Sequence, residues 1–324
     1  MTRKKIFVFF LILFAFIGSF TLLNRDRYFG KKISSPYEIS VICRSGSAES
    51  STSVRQGIDQ AAKDLNAEIS FITLSRENNA EEQVSLLKRE IRNGANAIVI
   101  SPVNSEDLKQ PVEEAMKSVP VVAMQSTVES IKGLPLISCD NEKLGSALAQ
   151  AAAGNGRVPR RIAILRNSMD CSSIRQRYSG VMKILGSGKN KIEYWDIPNG
   201  SQEAYDTAKG MLQSSMADTI IALDASTLEA AAKAEQDLLK TGSAEVQIFG
   251  MGRTNTIVSL LDGQIIDSIG VENEYNLGYL SIQTAVDKIN KKQNTDYPSI
   301  NFAVVNRKNM YSPENQRLLF PFSR

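Results

Sequence analysis

The chain has 324 residues, 42% apolar and 23% charged, with 38 basic against 35 acidic side chains. That composition is ordinary for a globular protein of roughly two domains; it excludes low-complexity and disordered classes, and the near-balance of charge excludes a dedicated nucleic-acid binder. Histidine is absent, which removes imidazole acid–base chemistry, histidine-dependent triads and the HExxH zinc site.

Arg3, Lys4 and Lys5 precede an uncharged apolar run, Ile6–Leu23. At about 1.5 Å per residue it is about 27 Å long, enough to cross a bilayer core. An uncleaved signal anchor fits this length; a cleaved signal peptide has only Gly18-Ser19 as a small-residue site. Cys43 lies too far beyond the run for a lipoprotein. Either reading exports the remainder, to the outer face of a membrane or, after cleavage, to the periplasm or medium. Residues 24–36 read as a polar, basic linker.

Short apolar runs then alternate with amphipathic stretches. Ile39–Cys43, Ile69–Leu74, Ala97–Ile100, Pro120–Met124 and Leu136–Ser138 read as strands. Between them, helices are expected over Ser51–Asn66, after the cap Asn79, over Ser105–Lys117 and from Asn141. A second series has strands at Arg161–Leu165, Lys191–Trp195, Thr219–Leu223, Val246–Gly250, Ile265–Ile269 and Asn301–Val305. Its helices fall at Ser173–Leu185, Gln202–Ser215, Ser226–Thr241, Thr254–Leu261 and Glu274–Asn290. This alternation predicts an α/β fold of two similar lobes, each a parallel sheet sandwiched by helices. Gly154-Asn-Gly156 follows a helix and reads as a C-cap, and the chain has neither GxxxxGK[ST] nor GxSxG. Cys43, Cys139 and Cys171 form no CxxC pair, so no zinc ribbon or disulfide framework is implied.

Several spaced segments carry a resemblance. They are Val54-Arg-Gln-Gly57 through Leu65, Gly94 through Asn104, Val119-Pro-Val-Val122, and Asp140-Asn141 with Gly145. In the second half stand Ser173-Ile-Arg175-Gln-Arg177-Tyr-Ser-Gly180, Ile248 through Gly252, and Asp262 through Ile266. In order and spacing, the chain from Ile39 to Val305 resembles the type I periplasmic binding proteins, specifically their ribose/galactose-binding group. The resemblance implies a three-crossover hinge, with an N-terminal lobe of residues 37–139 plus 271–300. The C-terminal lobe and tail would comprise 140–270 plus 301–324. A ligand would sit between the lobes at the carboxyl ends of the strands.

Matching the motifs places ligand contacts at Arg44, Ser50, Ser51, Gln125, Ser126, Arg175, Asp224, Gly252 and Glu272, with Asp140 and Asn141 at the hinge. The serine-rich loop after Arg44 reads either as a flexible loop or as a hydroxyl and helix-N-terminus site. Arg175 offers a planar fork to hydroxyls or a carboxylate; its alternative is a surface ion pair. Arg177, two residues along the helix, is expected to serve structure. Asp224 can cap a helix, contact ligand or both. Gly252 stands where sugar binders commonly have Asp, and Arg253 beside it adds positive charge. Trp195 is open between a core role and a stacking face. With Arg44, Arg175 and Arg253 set against Asp224 and Glu272, sugar acids and sugar phosphates join neutral sugars as expected ligands.

The implied function is capture of a small polar ligand without catalysis, metal or cofactor. The captured ligand passes to an ABC permease, or the liganded form is read by a membrane histidine kinase or chemoreceptor. Repressors sharing this core need a helix-turn-helix ahead of it, where this chain has the apolar run.

Overall fold

The computed structural model describes residues 35–44, 48–154, 160–186, 189–243, 245–292 and 296–320, with side chains in the first helix from residue 52. The expected membrane span and nearly all of the linker lie outside the described residues. Among the described residues, no helix is long and apolar enough to cross a membrane.

The first half runs β1 (Tyr37–Cys43), α1 (Ala48–Leu65), β2 (Ala67–Thr73), α2 (Ala80–Arg92), β3 (Ala97–Ile100), α3 (Glu106–Ser118), β4 (Val121–Met124) and β5 (Leu136–Ile137). Its sheet has the order β2-β1-β3-β4-β5 and is parallel throughout. The second half runs α4 (Asn141–Ala153), β6 (Arg161–Arg166), α5 (Ser172–Leu185), β7 (Lys191–Asp196), α6 (Ser201–Ser214), β8 (Thr219–Ala222), α7 (Ala225–Leu239), β9 (Gln247–Met251), α8 (Asn255–Asp262) and β10 (Ser268–Glu272). Then come α9 (Glu274–Ile289), β11 (Phe302–Val305) and α10 (Pro313–Leu319). The second sheet has the order β11-β10-β9-β8-β6-β7, with β11 antiparallel to β10.

Strand periodicity sorts the apolar side chains. Ile39, Val41, Ala97 and Val99 face one buried cluster, while Ile42, Ile98 and Ile100 face another on the opposite side of the sheet. The second sheet divides Ile162 and Ile164 from Ala163 and Leu165 in the same way. Strands buried on both faces must be apolar at every position, which is why they read as unbroken runs. Each such Ile or Leu contributes about 1.5–3 kcal/mol relative to exposure.

Side-chain caps start many of the helices. Asn79 accepts from the Glu82 amide, Asp140 from Lys143, Asp224 from Thr227, Thr254 from Ile257 and Asn273 from Asn276. Gly154 closes α4 at φ 57° and ψ −164°, a backbone conformation that glycine adopts and residues with a Cβ do not.

Three segments run side by side between the sheets. Ile300 donates to the Ser138 carbonyl at 3.0 Å and Asn273 to the Asn301 carbonyl at 2.9 Å, and Cys139 bridges Ile300 in parallel. Helix α9 packs on α1 and on β3 and β4, so the chain returns to the first sheet after β10.

One sequence expectation shifts. The strand expected at Ile265–Ile269 is β10, three residues later: residues 263–267 form a turn with Gln264 at φ 62°, and Ile266 is apolar because the turn buries it. The tail beyond Val305 folds into α10, capped by Ser312, and buries Leu319 in the core of the second sheet.

Candidate functional site

A cavity of about 550 Å³ opens between the carboxyl ends of the two sheets. Arg44 follows β1, Glu77 the end of β2, Ser101 β3 and Gln125 β4; Asp224 follows β8, Gly252 β9, and Glu272 ends β10. Loops at these ends carry the polar groups because the strands themselves are apolar and buried.

Arg44, Gln125, Asp224, Gly252 and Glu272, all expected from sequence, line this cavity together. Arg44 Nη1 donates to Cys171 Sγ at 2.9 Å. Burial alone would lower the arginine's pKa, but Cys171, Asp224, Glu77 and Glu272 around it outweigh that and raise it. Gln125 holds φ 67°, a left-handed backbone that a residue with a Cβ adopts at a cost of about 1–2 kcal/mol. Its side chain donates to Glu272 Oε1 at 2.8 Å, joining β4 to β10 across the cleft. Asp224 Oδ1 accepts from Ser226 and Thr227, so the cap holds one oxygen while the residue faces the cavity. Gly252 has φ 125°, and a Cβ there would meet Ala225 Cβ at 2.5 Å. No aspartate fits that position, which explains the departure from the family pattern.

Ser126 and Arg175 do not line the cavity. Ser126 Oγ lies 2.9 Å from Cys171 Sγ and 2.7 Å from Ser173 Oγ, a buried contact between the loop after β4 and the start of α5. Arg175, 41% exposed, pairs with Glu129 outside the cleft. Arg177, read from sequence as structural, lines the cavity instead. Two positions on a helix differ by about 200° of rotation, so only one of the two arginines faces inward. Arg177 Nε donates to Asn141 Oδ1 at 2.7 Å and Nη1 to the Leu223 carbonyl at 3.2 Å, with Glu272 Oε1 3.9 Å away. Asn141 therefore holds a cleft arginine from the first crossover, while Asp140 caps α4 and pairs with Lys143. The side chains of Ser50 and Ser51 lie outside the described residues. Trp195 is buried, with its indole N–H on Glu193.

Sequence reasoning missed Glu77 and Glu274 as lining residues, and it weighed Arg253 only as added charge. Arg253, 7% exposed, donates to the Leu319 carbonyl at 2.7 Å and to Ser53 Oγ, and lies 3.4 Å from Glu274. It thereby joins α1, α9 and the tail. Its Nε, Ser101 Oγ and Glu272 Oε2 are buried without a protein hydrogen-bond partner, and all three residues line the cavity. Such atoms cost about 1–3 kcal/mol each unless something fills the space and pairs with them.

The titrating groups are shaped by this enclosure. Burial would push the Cys171 thiol up, yet Arg44 and the Ser126 and Ser173 hydroxyls outweigh it and lower its pKa. Cys43, with no such neighbours, is pushed up to about 12 by burial. Burial also lifts Glu274 to about 7, against the pull of Arg253 and with Glu272 adding to the rise. A carboxyl raised this way holds its proton more tightly folded than unfolded. Its stabilising contribution is complete below about pH 4.5 and is lost as pH rises through about 7. Glu274→Gln is expected to flatten the fall in melting temperature between about pH 5 and about pH 8; circular dichroism melts across that range check this, and an unchanged slope would assign the loss to another group.

A periplasmic binding protein domain matches residues 39–293. The ribose import binding protein RbsB of Bacillus subtilis (strain 168) is 24% identical over 242 residues, covering 74% of this chain and 78% of that protein. The fold is similar to that of a carbohydrate transporter solute-binding protein from Agrobacterium radiobacter in complex with D-arabinose. The TM-score is 0.82 at 20% identity, over 88% of this chain and 99% of that one. It is also similar to a chain of the XylFII-LytSN complex, with TM-score 0.75 and 18% identity over 84% and 98% of the two chains. The family match covers the strands of both sheets through β10 and the cleft between them, and the chain belongs to the periplasmic binding protein family.

Proposed function

We propose that the protein is an extracellular solute-binding protein that captures a polyhydroxylated ligand, a sugar or sugar derivative, between its lobes for ABC-type uptake. The observation that carries this is the cavity itself, lined by Arg44, Gln125, Arg177, Asp224 and Glu272 from both sheets; Ser101, Arg253 and Glu272 also line it, and each has one buried polar atom without a protein hydrogen-bond partner. Hydroxyl groups both donate and accept, so a polyol suits a lining that carries guanidinium donors and carboxylate acceptors together. The relatives that bind ribose or D-arabinose support the same class. Arg44, Gln125, Arg177, Asp224 and Glu272 form the inner contacts. The lobes comprise residues 37–139 plus 273–300 and 140–272 plus 301–324, a boundary two residues beyond the sequence expectation because β10 keeps Val271 and Glu272 in the second sheet, and the apolar run Ile6–Leu23 tethers them to the membrane.

The cleft charges differ from the sequence expectation of an arginine-rich site. Glu77, Glu229, Glu272, Glu274 and Asp224 line it against Arg44, Arg177, Arg253 and Lys233. This removes the basis for preferring a sugar acid or phosphate. A second reading has the liganded form presented to a partner protein; a chain of similar fold stands in a complex, XylFII-LytSN.

Closure has a built-in reporter. Cys171 is fully buried and touches Arg44 and Ser126 from the opposite lobe, so a thiol reagent reaches it only when the lobes part. Peptide-resolved alkylation with iodoacetamide is expected to slow at Cys171 at least fivefold with a bound sugar such as D-ribose or D-arabinose. An unchanged rate with a sugar that demonstrably binds would separate binding from lobe closure.

A further inference from the structure

The cleft contains more anionic than cationic capacity once its internal pairs are removed. Lys233 is taken by Glu229 at 2.5 Å and Arg253 by Glu274 at 3.4 Å. That leaves Arg44 and Arg177 facing Glu77, Asp224 and Glu272. Arg177 bonds Asn141 and the Leu223 carbonyl and holds its charge 3.9 Å from Glu272 Oε1, which leaves Glu77 and Asp224 as the unmatched carboxylates. Arg44 stands among three carboxylates, one from the loop after β2 and two from the second sheet.

Glu272 sharpens the imbalance. It is 8% exposed, its Oε1 accepts from Gln125, and its Oε2 has no partner. The Cys139 thiol lies against Glu272 and Asn141, but a thiol is a weak donor. A buried carboxylate oxygen calls for a strong donor. Glu77 and Asp224 both line the cavity, one from the loop after β2 and one from the loop after β8, and the Glu77 carboxyl is raised by burial first and by Asp224 second. Closing the lobes brings these like charges together, and a ligand that supplies positive charge between them relieves the repulsion.

We propose that the preferred ligand is an amino sugar, a polyol whose protonated amine binds among Glu272, Glu77 and Asp224 while its hydroxyls take the remaining polar atoms. An ammonium group carries three donors and a unit charge, matching three carboxylates left with two guanidinium groups. The proposal rests on the carbohydrate-binding reading and narrows it: Glu77 becomes a specificity-determining residue, contributed by a loop that carries no motif.

The test is titration calorimetry of the full-length chain, near neutral pH, with D-glucosamine, D-galactosamine and D-mannosamine. Beside them stand the parents D-glucose, D-galactose and D-mannose, and D-glucuronate. At least one amine is expected to bind tenfold or more tightly than its parent, with the acid weakest of all. Glu77→Gln is expected to cut the ratio of amine to parent affinity at least threefold, and a melting temperature close to wild type confirms that the variant folds. Parents binding as tightly as their amines, or a ratio untouched by Glu77→Gln, would overturn the proposal and leave carbohydrate binding standing. Binding by none of the sugars would overturn both.

Discussion

Arg177→Ala is expected to abolish ligand binding and to cost about 3–5 kcal/mol of stability, because it strands buried partners without their cation. Arg177 is 5% exposed and ties the first crossover at Asn141 to the end of β8 at Leu223 and to Glu272 on β10. Its neighbour Arg175 is the internal comparison. Arg175 and Glu129 are 41% and 45% exposed, and such solvent-screened pairs contribute about 0.2–1 kcal/mol. Arg175→Ala is therefore expected to leave affinity within about twofold and stability nearly unchanged. Arg177→Lys keeps the charge and loses the planar fork; it separates binding from folding by giving a folded protein with weakened affinity. Melting curves and calorimetry on the three variants check this. Loss of binding in Arg175→Ala with retention in Arg177→Ala would reverse the assignment.

The second large effect lies in the helix crossings that hold each half together. Gly57 of α1 lies against Tyr275 and Gly278 of α9 against Val54, where a Cβ would sit 2.0 and 2.1 Å from backbone oxygens. The second half repeats the arrangement: Gly145 of α4 and Gly180 of α5 would meet the Arg177 and Glu142 carbonyls at 2.2 and 2.0 Å. An added methyl cannot be absorbed by a side-chain rotation here, because the obstacle is main chain; the helices must move apart. Overpacking costs about 1–3 kcal/mol or more, whereas alanine returns about 1 kcal/mol of helix propensity. We expect Gly57→Ala and Gly180→Ala to lose about 2 kcal/mol net, the upper end of that range because the obstacle is main chain, a fall of several degrees in melting temperature. Gly210, inside α6, has open space where a methyl would stand, with nothing within 4 Å, and Gly210→Ala is expected to gain about 0.5–1 kcal/mol. Equal effects at Gly57 and Gly210 would show that the close crossing carries no cost.

Legibility in the sequence followed the range of the interaction. Asn79, Asp140 and Asp224 announced helix starts because a cap bonds within three residues, and strand runs such as Ala97–Ile100 were legible because both their faces are buried. The cleft residues that follow strand ends, Arg44, Asp224 and Gly252 among them, were placed by the family resemblance, and the structure brings them to the cavity. Arg175 and Arg177 were not distinguishable locally. Their orientations are decided by Glu129 and Asn141, which arrive from other elements. Glu77 carried no signal at all, since a loop glutamate reads as solvated until the opposite lobe brings Asp224 against it. Likewise, Gly57, Gly145 and Gly180 stood among the motif residues, but their reason is a helix crossing between segments distant in the chain.

The central claim is that a polyhydroxylated ligand binds in the cleft through Asp224, Arg177 and Glu272. Its most direct measurement is the ligand-induced melting shift of the full-length chain and of Asp224→Asn, across neutral sugars and amino sugars. A ligand at about a hundred times its dissociation constant stabilises by about 2.7 kcal/mol. The predicted result is a clear upward shift for wild type with at least one of these compounds, lost or strongly reduced in Asp224→Asn at the same concentration. A shift of equal size in the variant, or none in wild type with any of them, would contradict the claim.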